Sequence, residues 1–301
     1  MTARLDVALV RRGLARSRTQ AQALVRAEVV LLDGRVVTKA STTVADHQQL
    51  SLTPADPFGE EARWIVHGYV GRGALKLRHA LLTWAPRGLT VENRRCLDIG
   101  ASTGGFTQVL LEEGAREVIA LDVGHGQLAE QVRAHPAVRD LSGTNIRDTS
   151  TADLGGPVEV IVGDLSFISL THVIPVLPGL IAVDSAVSEG AGGGEHESSA
   201  EIVLLVKPQF EVGADRLGRG GIVRSAALRH DALTRIADLG RAHGLIPMDV
   251  ERSPVTGGVE GEGNIEYLLW LRPCRSSMMD LGPSPQDWAA RCAELRMEEE
   301  R

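Results

Sequence analysis

The stretch RCLDIGASTGGFTQVLL, residues 95–111, decides the fold. An apolar strand-like run ends in Asp98-Ile99, a loop of small residues follows from Gly100 to Gly105, and Phe106 opens a helical pattern. A strand, a small-residue turn and a helix in that order place a ligand crevice at the carboxyl end of the first strand of a doubly wound α/β sheet. Further strand-like runs extend the pattern: EVIALDV (117–123), VEVIVGDL (158–165), IVLLVK (202–207), LIPMDV (245–250) and IEYLLWLR (265–272). Helical patterns lie between most of them, and the runs do not alternate apolar with polar. That combination predicts a parallel sheet covered by helices on both faces.

The crevice suits more than one ligand. A dinucleotide fingerprint prefers glycine at its second position, where Ser102 stands. Asp122, at the tip of the second strand, is placed to accept hydrogen bonds from ribose hydroxyls of either NAD or S-adenosylmethionine. A plain structural turn is a third reading of the same loop.

Charge divides the chain. The net charge of −7 averages residues 1–95, which carry +7, with the remainder, which carries −14. A basic front module that attracts phosphate joined to an acidic module with another task follows from that split. In the front module, Leu5, Ala8 and Leu9 form a short helical stripe that Gly13 ends. Ser17 is the expected N-cap of a second helix carrying Ala21, Leu24 and Val25 on one face. Asp33-Gly34 between two β-prone runs predicts a hairpin. Arg4, Arg11, Arg12, Arg16, Arg18 and Arg26 lie off the apolar stripes, free either to solvate helix faces or to grip phosphates.

Three scattered cysteines, Cys96, Cys274 and Cys292, have neither disulfide nor metal-ligand spacing, which points to the cytoplasm and to no metal. Arginines interrupt the N-terminal run where a signal peptide would be apolar. Leu165 to Val183 lacks charge but contains Pro175 and Pro178, so a buried strand exit and helix is expected there, and no membrane span.

The order Arg4-Leu5-Asp6, Gly13, Ser17-Arg18, Asp33-Gly34 and Lys39 resembles the S4-like RNA-binding module over residues 1–60, with Ala27-Glu28 where a glycine usually precedes the first strand. Residues 61–70 read as a linker and residues 71–274 as the second domain, with 183–201 a flexible insertion and 275–301 a tail. In that domain Lys76, Asp164, Lys207 and Glu266 follow the chain order of the Lys-Asp-Lys-Glu set of RNA ribose 2′-O-methyltransferases. Together with GRGALKL, ALDVGHGQL, GDLSFISL, VLLVKPQFEVG and GNIEYLL, these motifs resemble the TlyA family, whose members are called haemolysins.

The resemblance implies a Rossmann-like class I methyltransferase that uses S-adenosylmethionine to methylate cytidine 2′-oxygens in ribosomal RNA or ribosomal subunits. It implies cofactor contacts from Gly100, Ala101, Ser102, Thr103, Gly104, Gly105 and Phe106, with Asp122 at ribose, Asp148 at adenine and Asp164 at the cofactor edge. Lys207 would be base or stabiliser, helped by a nearby Lys76, and Glu266 would orient a lysine. The basic residues of the front module, Lys39 included, would bind RNA. The competing readings are an RNA-binding protein without catalysis and a pore-forming haemolysin.

Overall fold

The computed structural model describes residues 2–15, 17–53, 65, 67–182, 200–257, 263–274 and 283–299. Arg16, half of the expected linker, residues 183–199 and residues 275–282 lie outside the described residues. Two compact units divide the chain, one ending at Leu75 and the other starting at Lys76.

The first unit runs β1 (Thr2–Arg4), α1 (Leu5–Arg11), α2 (Arg18–Arg26), β2 (Val30–Leu32), β3 (Arg35–Val36), β4 (Thr43–Ala45) and β5 (Leu50–Leu52). Strand β1 pairs with β4, and β2 lies between β3 and β5, all antiparallel. Leu5, Leu9, Ala21, Leu24, Val25, Val29, Val30 and Val44 form its core, so the apolar stripes of both helices turn inward. The buried Asp6 carboxylate ties the two helices together by accepting from Arg4 Nε at 3.1 Å, Arg18 at 3.1 Å and Gln22 at 3.1 Å. The Arg4 hydrogen bond, with those from Gln22 and Arg18, holds Asp6 well below the usual carboxylate range although burial opposes this.

The two helices end alike. After α1, Gly13 takes φ +71°, its N–H bonds Val10 O, and Leu14 N–H bonds Leu9 O. After α2, Glu28 takes φ +58°, its N–H bonds Val25 O, and Val29 N–H bonds Leu24 O. Both are left-handed caps that satisfy orphan carbonyls, but the second is built on a residue with a Cβ. Ser17 caps the start of α2 by accepting from Gln20 N. Asp33 and Gly34, at φ +50° and +79°, make the hairpin turn between paired Leu32 and Arg35.

The second unit is entered by α3 (Gly73–Trp84), which spans the division. There follow β6 (Arg95–Ile99), α4 (Gly105–Glu112), β7 (Glu117–Asp122), α5 (Glu130–Arg133), β8 (Val138–Ser142), α6 (Thr151–Leu154), β9 (Val160–Gly163), β10 (Glu201–Val206), α7 (Pro208–Glu211), α8 (Ala226–Ala242), β11 (Leu245–Arg252), β12 (Tyr267–Pro273) and α9 (Pro285–Glu299). The sheet order is β11-β12-β10-β9-β6-β7-β8.

Four expectations are corrected here. The sheet is mixed, because β12 runs antiparallel to both β10 and β11. Val138–Ser142 is an added strand on the edge, with a polar pattern that gives little apolar signal. Glu201 belongs to β10 and not to the insertion: its buried carboxylate accepts from Trp270 Nε1 at 2.6 Å and pairs with Arg272 at 2.8 Å. Residues 165–182 form short 3-10 turns, Leu170–His172 and Ile174–Gly179, where a helix was expected. Prolines 175 and 178 remove the donors and fix the torsions that a longer helix would need.

The tail is a packed element. Trp288, Cys292 and Leu295 of α9 join the same buried cluster as Ile236 of α8 and Leu269 and Leu271 of β12. Arg291 fastens it through Asp249 at 3.2 Å and Glu251 at 2.6 Å. Burying Leu295 alone is worth roughly 1.5–3 kcal/mol.

Asp98, fully buried in β6, accepts the Thr107 hydroxyl at 2.6 Å, while its other oxygen has no hydrogen-bond partner among the described residues. Burial pushes its carboxyl up to about 7.

Two outcomes follow from these features. Glu28→Gly relieves the left-handed strain and, after the added freedom of the unfolded chain, stabilises the first unit by about 0.5–1 kcal/mol; a denaturant midpoint that falls or stays put would contradict it. For Asp98 the folded value lies above the unfolded 3.8. Its stability contribution is therefore whole below pH ~4 and is lost as pH rises towards ~7. Relative to Asp98→Asn, the wild type should lose urea resistance between pH 4 and pH 8; a constant difference would show that Asp98 does not titrate there.

Candidate active site

Three of the four expected ionisable residues sit one step beyond strand ends on a single edge of the sheet. Asp164 follows β9, Lys207 follows β10, and Glu266 precedes β12. Since β12 is antiparallel, its start lies at the edge where β9 and β10 finish, with Tyr267 opposite Val206. Lys76 comes from the first turns of α3.

The four make a continuous chain of charge. Lys76 Nζ stands 2.8 Å from Glu266 Oε2 and 3.2 Å from Asp164 Oδ2, and Lys207 Nζ stands 2.7 Å from Asp164 Oδ1. Lys76, Lys207 and Glu266 are buried. Burial pulls the Lys76 pKa down, but the Asp164 and Glu266 carboxylates outweigh it and hold the pKa above the ordinary value. Burial likewise opposes charge on Asp164, and Lys76 and Lys207 overcome it and hold the carboxyl low. Asp164 thus lies between the two ammonium groups, which corrects the expectation that Lys76 acts directly on Lys207.

Three neighbours complete the cluster, and sequence reasoning assigned no role to them. Ser166 Oγ accepts from Lys207 Nζ at 2.6 Å. Gln209 Nε2 lies 3.5 Å from Glu266 Oε1. Gly257 must be glycine because a Cβ there would collide with Glu266 Oε1. The hydroxyl in the Asp164–Phe167 motif was the one available signal, and serine is too common in loops for it to stand out. Phe167, 92% exposed at φ +64°, faces Phe210 with ring centroids 5.4 Å apart.

Across the edge lies the small-residue loop. Gly100 takes φ +79°, and a Cβ would stand 3.0 Å from Asp164 O, so loop and tetrad touch here. Ser102 adopts φ +49°, the conformation a glycine would take, and donates its N–H to Asp122 Oδ2 at 2.8 Å. Gly124 N–H binds the other Asp122 oxygen at 2.7 Å. Thr103 is exposed and Ala101 buried; Gly104, at φ +93°, caps α4, with Leu128 2.8 Å from where a Cβ would be. Gly105 and Phe106 already belong to the helix, and the Phe106 side chain is buried in the core. What the loop offers is therefore backbone. Asp148 is exposed at the end of a turn, Ile146–Asp148, beyond β8.

In the first unit Arg12 proves to be a fastener, donating to Gln48 O at 2.6 Å and Ala45 O at 3.0 Å. Arg11, Arg26 and Lys39 are exposed, and Arg4 and Arg18 are half-exposed beside Asp6. No helix among the described residues is long and apolar enough to cross a membrane.

Comparison with known proteins matches this division. The FtsJ-like methyltransferase family matches residues 69–273, and the S4 domain matches residues 3–50. The 16S/23S rRNA (cytidine-2′-O)-methyltransferase TlyA of Mycobacterium tuberculosis is 44% identical over 90% of each chain. Hemolysin A of Brachyspira hyodysenteriae is 34% identical, over 88% of this chain and 98% of its own. A solved structure from Streptococcus thermophilus that carries a hemolysin name superposes with a TM-score of 0.65 at 31% identity, covering 99% of this chain and 98% of its own. With both domains matched and 44% of residues shared over nine-tenths of each chain, the chain is a member of the TlyA family of FtsJ-like methyltransferases.

Proposed function

We propose that this methyltransferase transfers a methyl group from S-adenosylmethionine to a ribose 2′-hydroxyl of ribosomal RNA, as naked RNA or within a subunit, in the cytoplasm. The observation that carries the reading is the unbroken chain from Glu266 through Lys76 and Asp164 to Lys207, held at the carboxyl edge of the sheet beside the loop from Gly100. An unperturbed 2′-hydroxyl is a weak nucleophile at neutral pH. Polar groups fixed beside it before reaction cost no reorganisation when charge develops.

The crevice fits the methyl donor. Gly100 and Gly104 leave the backbone bare where a Cβ would strike Asp164 O or Leu128. The start of α4, at Gly105, favours an anionic group such as a carboxylate. Asp122 would take the donor's ribose hydroxyls on lone pairs not used by Ser102 and Gly124, and Asp148 is the candidate for its adenine amino group. When bound, S-adenosylmethionine supplies a methyl already activated by a sulfonium.

The chain's own residues then have distinct tasks. Lys207 Nζ, set between the Asp164 carboxylate and the Ser166 hydroxyl, is the group at the 2′-oxygen. That setting favours the donor role, in which it stabilises negative charge growing on the oxygen, over removal of the proton. Asp164 orients Lys207 and ties it to Lys76; Glu266 keeps Lys76 in place. Phe167 and Phe210 offer an aromatic face at the rim, suited to a base turned out of its helix. Holding acceptor and donor in line accounts for up to roughly 7–11 kcal/mol of barrier reduction. The S4 domain would bring the RNA, through Arg4, Arg11, Arg18, Arg26 and Lys39, mainly by shape and backbone charge.

Two measurements check the reading. Lys207→Ala should lose methyl transfer to ribosomal subunits by at least ~100-fold, in line with loss of one oxyanion-stabilising donor, while RNA affinity stays near wild type; retained transfer would remove Lys207 from the chemistry. RNA affinity should fall linearly on a log–log plot as salt rises, and substituting Arg11 and Arg26 should flatten that line. A salt-independent affinity would exclude the arginine surface.

A further inference from the structure

Residues 212–224 join α7 to α8 and carry Arg216, Arg219 and Arg224 among Gly213, Gly218, Gly220 and Gly221. Arg216 and Arg224 are exposed. An exposed glycine-rich run of this kind is ordinarily soft, yet here two buried side chains hold its backbone. Asn264 accepts Val223 N–H at 2.8 Å and donates to Gly221 O at 3.0 Å. Arg229 donates to Val223 O at 3.1 Å and Arg224 O at 2.9 Å. Gly220 and Gly221, at φ +75° and +73°, make the turn that these bonds fix. Val212 and Val223, packed with Ala232, close the ends with a small apolar cluster of their own.

The segment is tied to the tetrad at both ends. It begins where α7 ends, and α7 starts immediately after Lys207. Its clamp, Asn264, is two residues from Glu266. Charge supplies the rest of the argument. Residues 96–301 carry −14, so a polyanion meets repulsion as it nears this unit. Screening confines such fields to about 8 Å at physiological salt, so what counts at the site is the nearest charge. By sequence the segment carries three arginines against Asp215, and its two described arginine side chains, Arg216 and Arg224, are exposed.

We propose that residues 212–224 form a preset grip for the RNA phosphodiester groups flanking the acceptor ribose, with Asn264 and Arg229 as the positioning residues that hold its shape. The inference rests on the RNA reading above. It makes the second unit a partner in substrate binding, alongside the S4 domain.

The test uses the full chain, S-adenosylmethionine carrying a labelled methyl, and purified ribosomal subunits and their naked rRNA. Arg216→Ala with Arg224→Ala should raise KM for RNA about tenfold and leave kcat within twofold. Affinity for S-adenosylmethionine should not change, and the slope of log affinity against log salt should fall by between one and two, as expected for two lost phosphate contacts. Asn264→Ala should raise KM similarly although it removes no charge, with the thermal transition verifying that it is folded. Unchanged KM and salt slope in the double arginine variant, while the wild type transfers methyl to the same RNA, would overturn the grip. A wild type that transfers nothing to RNA would instead overturn the reading on which it rests.

Discussion

A buried ammonium is tolerable only if carboxylates surround it, and Lys76 is placed between two of them, Asp164 at 3.2 Å and Glu266 at 2.8 Å. Isolated, any one of these charges would carry a desolvation penalty of several kcal/mol. Linked as two lysines and two carboxylates, they offset that penalty: the carboxylates hold the Lys76 pKa up and the lysines hold the Asp164 carboxyl low. This requirement explains the direction of β12. Were that strand parallel to β10, its start would lie at the opposite edge and Glu266 could not reach Lys76. The single antiparallel strand is thus what assembles the site, and Ser253 N–H on Glu266 O with Gly257 against the Glu266 side chain hold it there.

Much of this was legible in the sequence because the signals are local. Asp33-Gly34 announces its hairpin, Ser17 its helix and Gly13 its helix end, each through a torsion or a hydrogen bond made within a few residues. Val, Ile and Leu runs mark the central strands because both faces are covered. The illegible parts depend on partners distant in the chain. Strand β8 carries arginine and aspartate on an edge and has no apolar period. Glu201 reads as the end of a Gly/Ser/Glu-rich insertion until Trp270 and Arg272 are seen to hold it. The expected tail helix has a purpose only once Trp288 and Leu295 reach the core. The four ionisable residues were legible as a set by resemblance, but their order of contact, with Asp164 between the lysines, was not. Arg12, whose charge suggested phosphate, serves three carbonyls of its own domain.

Strain is distributed unevenly. Glu28, Asp33, Asn93, Ser102 and Phe167 are non-glycine residues in left-handed backbone. Those at turns and helix ends follow from local geometry. Ser102 and Phe167 lie on loops at the carboxyl edge of the sheet, one in the small-residue loop and the other three residues after Asp164, where a conformational cost of about 1–3 kcal/mol persists only if neighbouring contacts enforce it. The Asp122 carboxylate does so for Ser102. Backbone that is bare or bent in this way is what close approach of a ligand requires. Charge is divided as well: residues 1–95 carry +7 and the remainder −14, and in the acidic unit Lys76 and Lys207 are held at the carboxyl edge by Asp164 and Glu266.

Action of the tetrad on a ribose oxygen, and not on a base, is what the proposed function requires. Incubating the wild-type protein with S-adenosylmethionine and unmodified ribosomal subunits, then mapping alkaline cleavage of the rRNA nucleotide by nucleotide, reads this directly. The labelled methyl is expected at a position where the backbone has become resistant to alkali, since a methylated 2′-oxygen cannot attack the adjacent phosphate. Label at a nucleotide whose backbone still cleaves would place the methyl on the base and contradict it.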